Sequence, residues 1–113
     1  MRIGAIALFS LLAIACGSSY PPPNDEWSAA QQDVGKAEAG GAPEVPDAKL
    51  HLQLAQEDLA KSKQLIDQDN KRAASLIARA SAEAELALSM AKETQAKAEA
   101  QEAVDKLANA RGK

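Results

Sequence analysis

Small or apolar residues between positions 45 and 91 of this 113-residue chain recur at alternating intervals of three and four residues. This is the heptad spacing of helices that pack against one another. The first series consists of Val45, Ala48, Leu52, Ala55, Leu59, Ser62 and Ile66. Pro46 lies near its start, and proline is favoured in the first turn of a helix. The pattern therefore predicts a long helix over residues 47–67.

A second heptad series begins a few residues later and is almost entirely alanine. Its members are Ala73, Ile77, Ala80, Ala84, Ala87 and Ala91. Between the two series, residues 67–70 read Asp-Gln-Asp-Asn, which favours a turn and a helix cap over a helix interior. We expect Asp69 or Asn70 to cap a second helix over residues 70–110. Two helices joined by such a short turn lie antiparallel, so the predicted fold is all-α, an alanine-rich, coiled-coil-like helical hairpin.

A shorter amphipathic segment precedes the hairpin at residues 24–38. One helical face of this segment carries Trp27, Ala30, Val34 and Ala37. Glycine and proline at residues 40–43 then break the chain, and the helical domain is predicted to span residues 27–110. The second long helix overhangs the first, and a helix of about 15 residues is long enough to cover that overhang.

Four of the large apolar residues that lie outside both series are the candidate contacts for a partner. They are Leu50, Leu54, Val104 and Leu107. Leu50 and Leu54 are expected to face either the short helix or a second copy of the chain. The apolar residues of the overhang lie on a different face from the alanine series, so that half is expected to bind another partner or to fray.

Charged residues are interspersed along the chain, and the formal net charge is −3. Three glutamates each precede a lysine by four residues, an arrangement that supports exposed helix faces. These pairs are Glu57–Lys61, Glu93–Lys97 and Glu102–Lys106. No basic patch with interleaved aromatic residues accompanies them, so nucleic acid is not an expected partner.

The chain starts with Met1 and the basic residue Arg2, followed by a thirteen-residue apolar run at residues 3–15. The run is shorter than the roughly 20 residues needed to span a bilayer and has the length and flanks of a secretory signal. Its end, Ala13-Ile14-Ala15 before Cys16, resembles the lipobox of bacterial lipoproteins, with Ala13 where leucine is usual. The resemblance implies that residues 1–15 are a signal peptide and that Cys16 is lipidated. The alternative is an ordinary cleaved signal with an incidental cysteine.

Residues 16–26 are predicted to be a flexible, proline-rich tether after this cysteine. Three consecutive prolines at residues 21–23 favour an extended polyproline II conformation. The lipid bilayer is therefore the first expected partner. Gly17, rather than aspartate, follows Cys16, which resembles lipoproteins sorted to the outer membrane. This resemblance implies a cell-envelope protein that faces the periplasm.

The helical part resembles the domain-of-unknown-function family numbered 4398. Its members are small envelope lipoproteins, or N-terminal parts of proteins that end in an OmpA-like peptidoglycan-binding domain. The resemblance covers about residues 27–105 and lies in Pro46, Leu52-x-x-Ala55, Leu59, the acidic turn at residues 67–69 and the alanine-rich residues 81–87. Gln68 and Asn70 depart from the pattern, in which glycine and an aromatic residue are usual. The family implies a helical hairpin and brings no catalytic residues.

The sequence contains few groups for catalysis or metal binding. His51 is the only histidine, whereas zinc sites need three or four ligands. We therefore predict no enzyme, no metal and no cofactor.

Lys113 is the remaining candidate site. A lipidated start, a heptad helix and a closing lysine resemble the murein lipoprotein family, in which that lysine is joined to peptidoglycan. Here Arg111 and Gly112 precede the lysine, where an aromatic residue and arginine are usual. That family's helix is also a continuous trimeric coil, not a hairpin. The alternative is that Lys113 belongs to a frayed helix end.

Two functions follow as hypotheses. The first is a membrane-anchored, non-enzymatic scaffold or protein-interaction module of the bacterial envelope, which binds another envelope protein or itself. The second is a structural tether between the membrane and peptidoglycan through Lys113.

Overall fold

A computed structural model describes residues 19–112, which fold into three α-helices joined by short connections. The helices are α1 (Asn24–Ala39), α2 (Pro46–Leu65) and α3 (Asn70–Arg111), with a 3-10 turn at Ala42–Glu44. No strand occurs within residues 19–112. The predicted all-α class and the helical hairpin are confirmed. Helix α2 ends two residues before residue 67, and α1 begins inside the stretch that was predicted to be tether.

The turn between α2 and α3 is formed by the polar residues 67–70, from which the turn was predicted. The Asp69 carboxylate accepts a hydrogen bond from the backbone N–H of Arg72 at 3.1 Å, which satisfies a free donor in the first turn of α3. The side-chain oxygen of Asn70 accepts from the backbone N–H of Asp67 at 2.7 Å. Asp67 has a φ of +71°, a left-handed conformation that aspartate adopts more readily than most residues.

The two heptad series meet along the hairpin and form its core. All members of the α3 series and the central members of the α2 series are buried, and Val45 and Ile66 at the ends are half-buried. The buried members are Ala48, Leu52, Ala55, Leu59, Ser62, Ala73, Ile77, Ala80, Ala84, Ala87 and Ala91. Because alanine fills most of the α3 positions, the leucines of α2 have room and the two helices can approach closely.

Helix α1 packs along the hairpin, so that the body is a three-helix bundle. Ala30, Val34 and Ala37 are buried in the shared core. The indole N–H of Trp27 donates to the backbone carbonyl of Leu59 at 3.2 Å. At the far end of α1, the side-chain amide of Gln95 donates to the carbonyl of Gly40 at 3.2 Å. The start of α1 lies beside the start of α3, so the two helices run in the same direction.

This placement corrects the expectation that a short helix covers the overhang. Helix α1 packs beside the buried part of α3, residues 70–91, and residues 92–112 are all exposed. The reason is the register of the core. The α1 face that carries Val34 packs against the alanine series, and that series becomes mostly polar past Ala91, where its next positions are Thr94, Ala98, Gln101 and Asp105.

Packing and backbone conformation both require glycine at the connection between α1 and α2. A Cβ atom on Gly40 would overlap Cδ1 of Leu88 and would lie 2.9 Å from the carbonyl oxygen of Lys36. Gly41 has a φ of +93°, which glycine adopts without the steric cost of a side chain. These two residues let the chain reverse while α1 stays in contact with α3.

Candidate functional site

The last 20 residues of α3 form a single exposed helix that projects beyond the bundle, and Gln95 near its base is hydrogen-bonded to the bundle at Gly40. All side chains in residues 92–111 are exposed, and at 1.5 Å per residue they extend for about 30 Å. We call this segment the arm. It continues from the buried part of α3 without a break.

The arm has one apolar face, and that face lies opposite the side of α3 that the bundle buries. We call it the arm stripe, and its members are Ala96, Ala100, Ala103, Val104 and Leu107. If the buried series continued along the arm, it would occupy residues 94, 98, 101 and 105. Four of the stripe members, at residues 96, 100, 103 and 107, each lie two residues after one of these positions. Two residues correspond to a rotation of about 200° along an α-helix. Val104 and Leu107 are 57% and 59% exposed, so both predicted contacts are accessible.

Charged pairs on the arm support its helical conformation. Lys97 contacts Glu93 and Lys106 contacts Glu102, each at 2.7 Å between nitrogen and oxygen. The hydrogen bond from Lys97, followed by its charge, lowers the pKa of Glu93. Both pairs have the predicted spacing of four residues, with glutamate first, which is the favourable orientation on a helix.

The other two predicted contact residues lie on α2 and are also accessible. Leu50 is 56% exposed and Leu54 is 39% exposed, so α1 does not bury them. Leu86 on α3 is 44% exposed and was missed by the sequence reasoning. Its exposure could have been predicted from the spacing, since Leu86 lies between the buried positions Ala84 and Ala87 and is not a member of the heptad series.

Two polar pairs join α2 to α3 on the face that carries Leu54. The carboxylate of Asp58, whose side chain is 4% exposed, accepts two hydrogen bonds from the guanidinium of Arg79. These hydrogen bonds, followed by the charge of Asp58, raise the pKa of Arg79. Nδ1 of His51 donates to the carboxylate of Glu83 at 2.5 Å. Leu54 lies three residues after His51 and four before Asp58, so all three share a face of α2.

These pairs act as clamps between helices. The sequence did not reveal them, because each joins residues more than 20 positions apart and the pairing depends on the register between α2 and α3.

The open groove next to Arg79 has a volume of about 560 Å³ and is lined by Lys61, Gln64, Leu65, Arg72 and Leu76. Within residues 19–112, no cluster of three or more histidine, cysteine, aspartate or glutamate side chains could hold a metal ion.

The first described residues lie against the turn end of the hairpin. The side-chain amide of Asn70 donates to the carbonyl of Tyr20 at 2.9 Å, and Pro23 is buried. The chain therefore joins the bundle beside the first residue of α3. Cys16 and Lys113, the predicted lipidation and peptidoglycan sites, lie outside the described residues.

No family model, no curated protein and no solved structure matches this chain. The resemblances to the family numbered 4398 and to the murein lipoprotein family therefore stay predictions from the sequence. Among the helices of residues 19–112, none combines the length and the apolar character needed to cross a membrane.

Proposed function

We propose that this protein is a lipid-anchored envelope protein that acts as a non-enzymatic helical scaffold, with the arm as its binding surface for another protein. The observation that carries the proposal is the arm itself. A helix of 20 exposed residues extends beyond the bundle and carries an apolar stripe on the face that the bundle does not use. A bundle that needed only to be stable would gain little from this extension.

The conformation of the arm favours binding without a folding step. Its helix continues from the packed part of α3, so the costly first turn is already formed. Alanine, glutamate, lysine and glutamine fill most of its positions and are strong helix formers. A partner therefore does not have to offset the entropy of ordering the arm, which is the usual advantage of a preorganised surface.

The chemistry of the stripe indicates a partner with a helix or a shallow apolar groove. Three of its five members are alanine, which lets a second backbone approach closely, and Val104 and Leu107 provide the larger side chains that fill holes between helices. This is the residue pattern of a helix that docks by its apolar face.

The anchor is proposed from the sequence at the start of the chain. Residues 3–15 have the length of a signal, and Cys16 follows the small residues expected before a lipidated cysteine. Two or more acyl chains give stable membrane attachment, whereas one chain binds only marginally. The absence of an enzymatic role is also part of the proposal, because the titratable groups described above form surface pairs and helix clamps.

The test is a scan of the arm with a photoreactive amino acid in intact cells. Crosslinks to one defined partner should form at residues 103 and 107 on the stripe and should be weak at residues 101 and 105 on the opposite side. A second variant, Leu107→Lys, should abolish the crosslink at residue 103 without changing the thermal unfolding of the bundle. Crosslinking that is equal around the arm, or absent from every position, would contradict the proposal.

A second candidate is attachment to peptidoglycan through Lys113, and the length of α3 favours it. Helix α3 ends at Arg111, so the arm would act as a rigid spacer that brings Lys113 close to the cell wall. The test is to digest purified sacculi with muramidase and to search for peptides of this chain. Covalent retention that is lost in Lys113→Arg but kept in Lys106→Arg would support the tether. Complete release of the unmodified chain into hot detergent would exclude it.

A further inference from the structure

We propose that the turn end of the bundle faces the phospholipid surface, with the arm projecting away from it. We define the turn end as residues 20–26 and 61–72. The inference rests on the proposed acylation of Cys16 and adds to it the orientation of the molecule on the membrane. Its basis is the point at which the chain enters the bundle.

The entry point is fixed by contacts of Tyr20. Its carbonyl accepts a hydrogen bond from the side chain of Asn70, the first residue of α3. Tyr20 also lines a groove between α1 and the first turns of α3, together with Ala29, Ala74 and Ile77. Pro23, three residues later, is buried. The chain is therefore attached to the bundle from Tyr20 onward.

The length of chain between Cys16 and Tyr20 limits how far the turn end can be from the lipid. Four residues span at most about 14 Å, even when fully extended. By contrast, the 42 residues of α3 extend for about 63 Å at 1.5 Å per residue. An acyl anchor on Cys16 therefore keeps the turn end near the headgroups, whereas the end of the arm can lie some 60 Å away.

The composition of the arm argues against the alternative, in which the molecule lies flat. Helices that lie in a membrane interface are rich in lysine and arginine on the polar face and carry large apolar or aromatic residues on the other. The arm has no aromatic residue. Its four basic residues, Lys92, Lys97, Lys106 and Arg111, are balanced by Glu93, Glu99, Glu102 and Asp105. Neither charge nor apolar bulk draws it to the surface.

The turn end carries equal numbers of basic and acidic residues. The tether, and not attraction to charged lipid, therefore sets the orientation of the molecule. The basic residues of the turn end are Lys61, Lys63, Lys71 and Arg72, and its acidic residues are Asp25, Glu26, Asp67 and Asp69. An anionic membrane attracts clustered basic residues, but here the two signs cancel. We therefore expect the same orientation on neutral and on anionic bilayers.

The test is neutron reflectometry of the chain from residue 16 to residue 113 on a supported phosphatidylcholine bilayer. This form retains every described residue, and Cys16 is the only cysteine, so it can be coupled at low coverage to a maleimide-headgroup lipid. We expect a protein layer of about 60–80 Å, calculated from the helix rise and the tether length. Its density should be greatest next to the bilayer, where three helices lie, and lower beyond, where only the arm remains.

The matched control moves the attachment point to the other end of the molecule. In a chain with Cys16→Ser and Gly112→Cys, the dense part of the layer should lie farther from the bilayer than in the unmodified chain. A flat layer of about two helix diameters, near 20 Å, would overturn the inference. So would an unchanged density profile in the control, or a collapse of the layer when part of the lipid is replaced by phosphatidylglycerol.

Chemical coupling separates this inference from the proposed function. The reflectometry result does not depend on whether cells acylate Cys16, which is measured by mass spectrometry of the protein from membranes. A thin layer together with acylated Cys16 would reject the orientation and keep the anchor. A thick layer with unmodified Cys16 would reject the anchor in cells while the geometry of the tethered molecule stands.

Discussion

Replacing Ala84 by leucine tests whether the alanine series is a closely packed contact. Ala84 has 0% exposure and belongs to the core that α1, α2 and α3 share. Leucine adds three carbon atoms, and inserting methylenes into a packed core usually costs about 1–3 kcal/mol. The intrinsic helix propensities of alanine and leucine differ by only about a few tenths of a kcal/mol. We expect the free energy of unfolding to fall by about 2 kcal/mol, or about 8–16 °C in Tm for a domain of this size.

The matched control is Ala82→Leu, which makes the same change two residues away on the exposed side of α3. Its free energy of unfolding should change by less than about 0.5 kcal/mol. Both variants are measured by circular dichroism during thermal and urea unfolding, and the dependence on urea should stay unchanged if only stability differs. Equal stability of the two variants would refute the argument, because it would mean that the helices leave room beside Ala84.

Two further predictions concern single features of the bundle. Arg79→Ala should leave the buried Asp58 carboxylate without its cation, which destabilises the bundle because an unpaired buried charge is unfavourable, and should lower the urea midpoint. Arg72→Ala on the same groove should barely change it, and equal midpoints would contradict the clamp. Gly35→Ala should raise the free energy of unfolding by about 0.5–1 kcal/mol through helix propensity, and Tm with it, because a Cβ atom there meets nothing within 4 Å. Gly40→Ala should lower Tm, and a rise in both variants would show that Gly40 has free space.

The helices and their contacting faces could be predicted because alternating steps of three and four residues define both at once. The alanine series from Ala73 to Ala91 is buried throughout, and its apolar residues alone were enough to identify it. The turn could be predicted because Asp69 has the short polar side chain that a helix cap requires. These features depend on residues that lie close together in sequence, so the spacing of residue types along the chain is enough to predict them.

Features that depend on the register between helices could not be predicted. Nothing near Asp58 in sequence indicates that its carboxylate is buried against Arg79, because that contact exists only after α2 and α3 have aligned. The predicted position of α1 along the overhang was wrong for a related reason. Length alone allowed α1 to lie along the overhang, but the apolar faces place Val34 against the alanine series.

The candidate site was predicted in its residues but not in its geometry. Val104 and Leu107 were identified because they lie outside the heptad series, and both are exposed on the arm. The sequence predicted the overhang of the second long helix but could not show that α1 leaves it uncovered, since that follows from the docking of α1. The entry of the chain beside Asn70 was also hidden, because it depends on a hydrogen bond to Tyr20 across 50 residues.

The claim that the protein is anchored by lipid on Cys16 is tested most directly by mass spectrometry of the intact protein extracted from membranes. We expect a chain that starts at Cys16 and carries the mass of two or more acyl chains. We also expect Cys16→Ala to be absent from the membrane fraction. A chain that retains residues 1–15, or that starts at an unmodified Cys16, would contradict the anchor and with it the account of a membrane-bound scaffold.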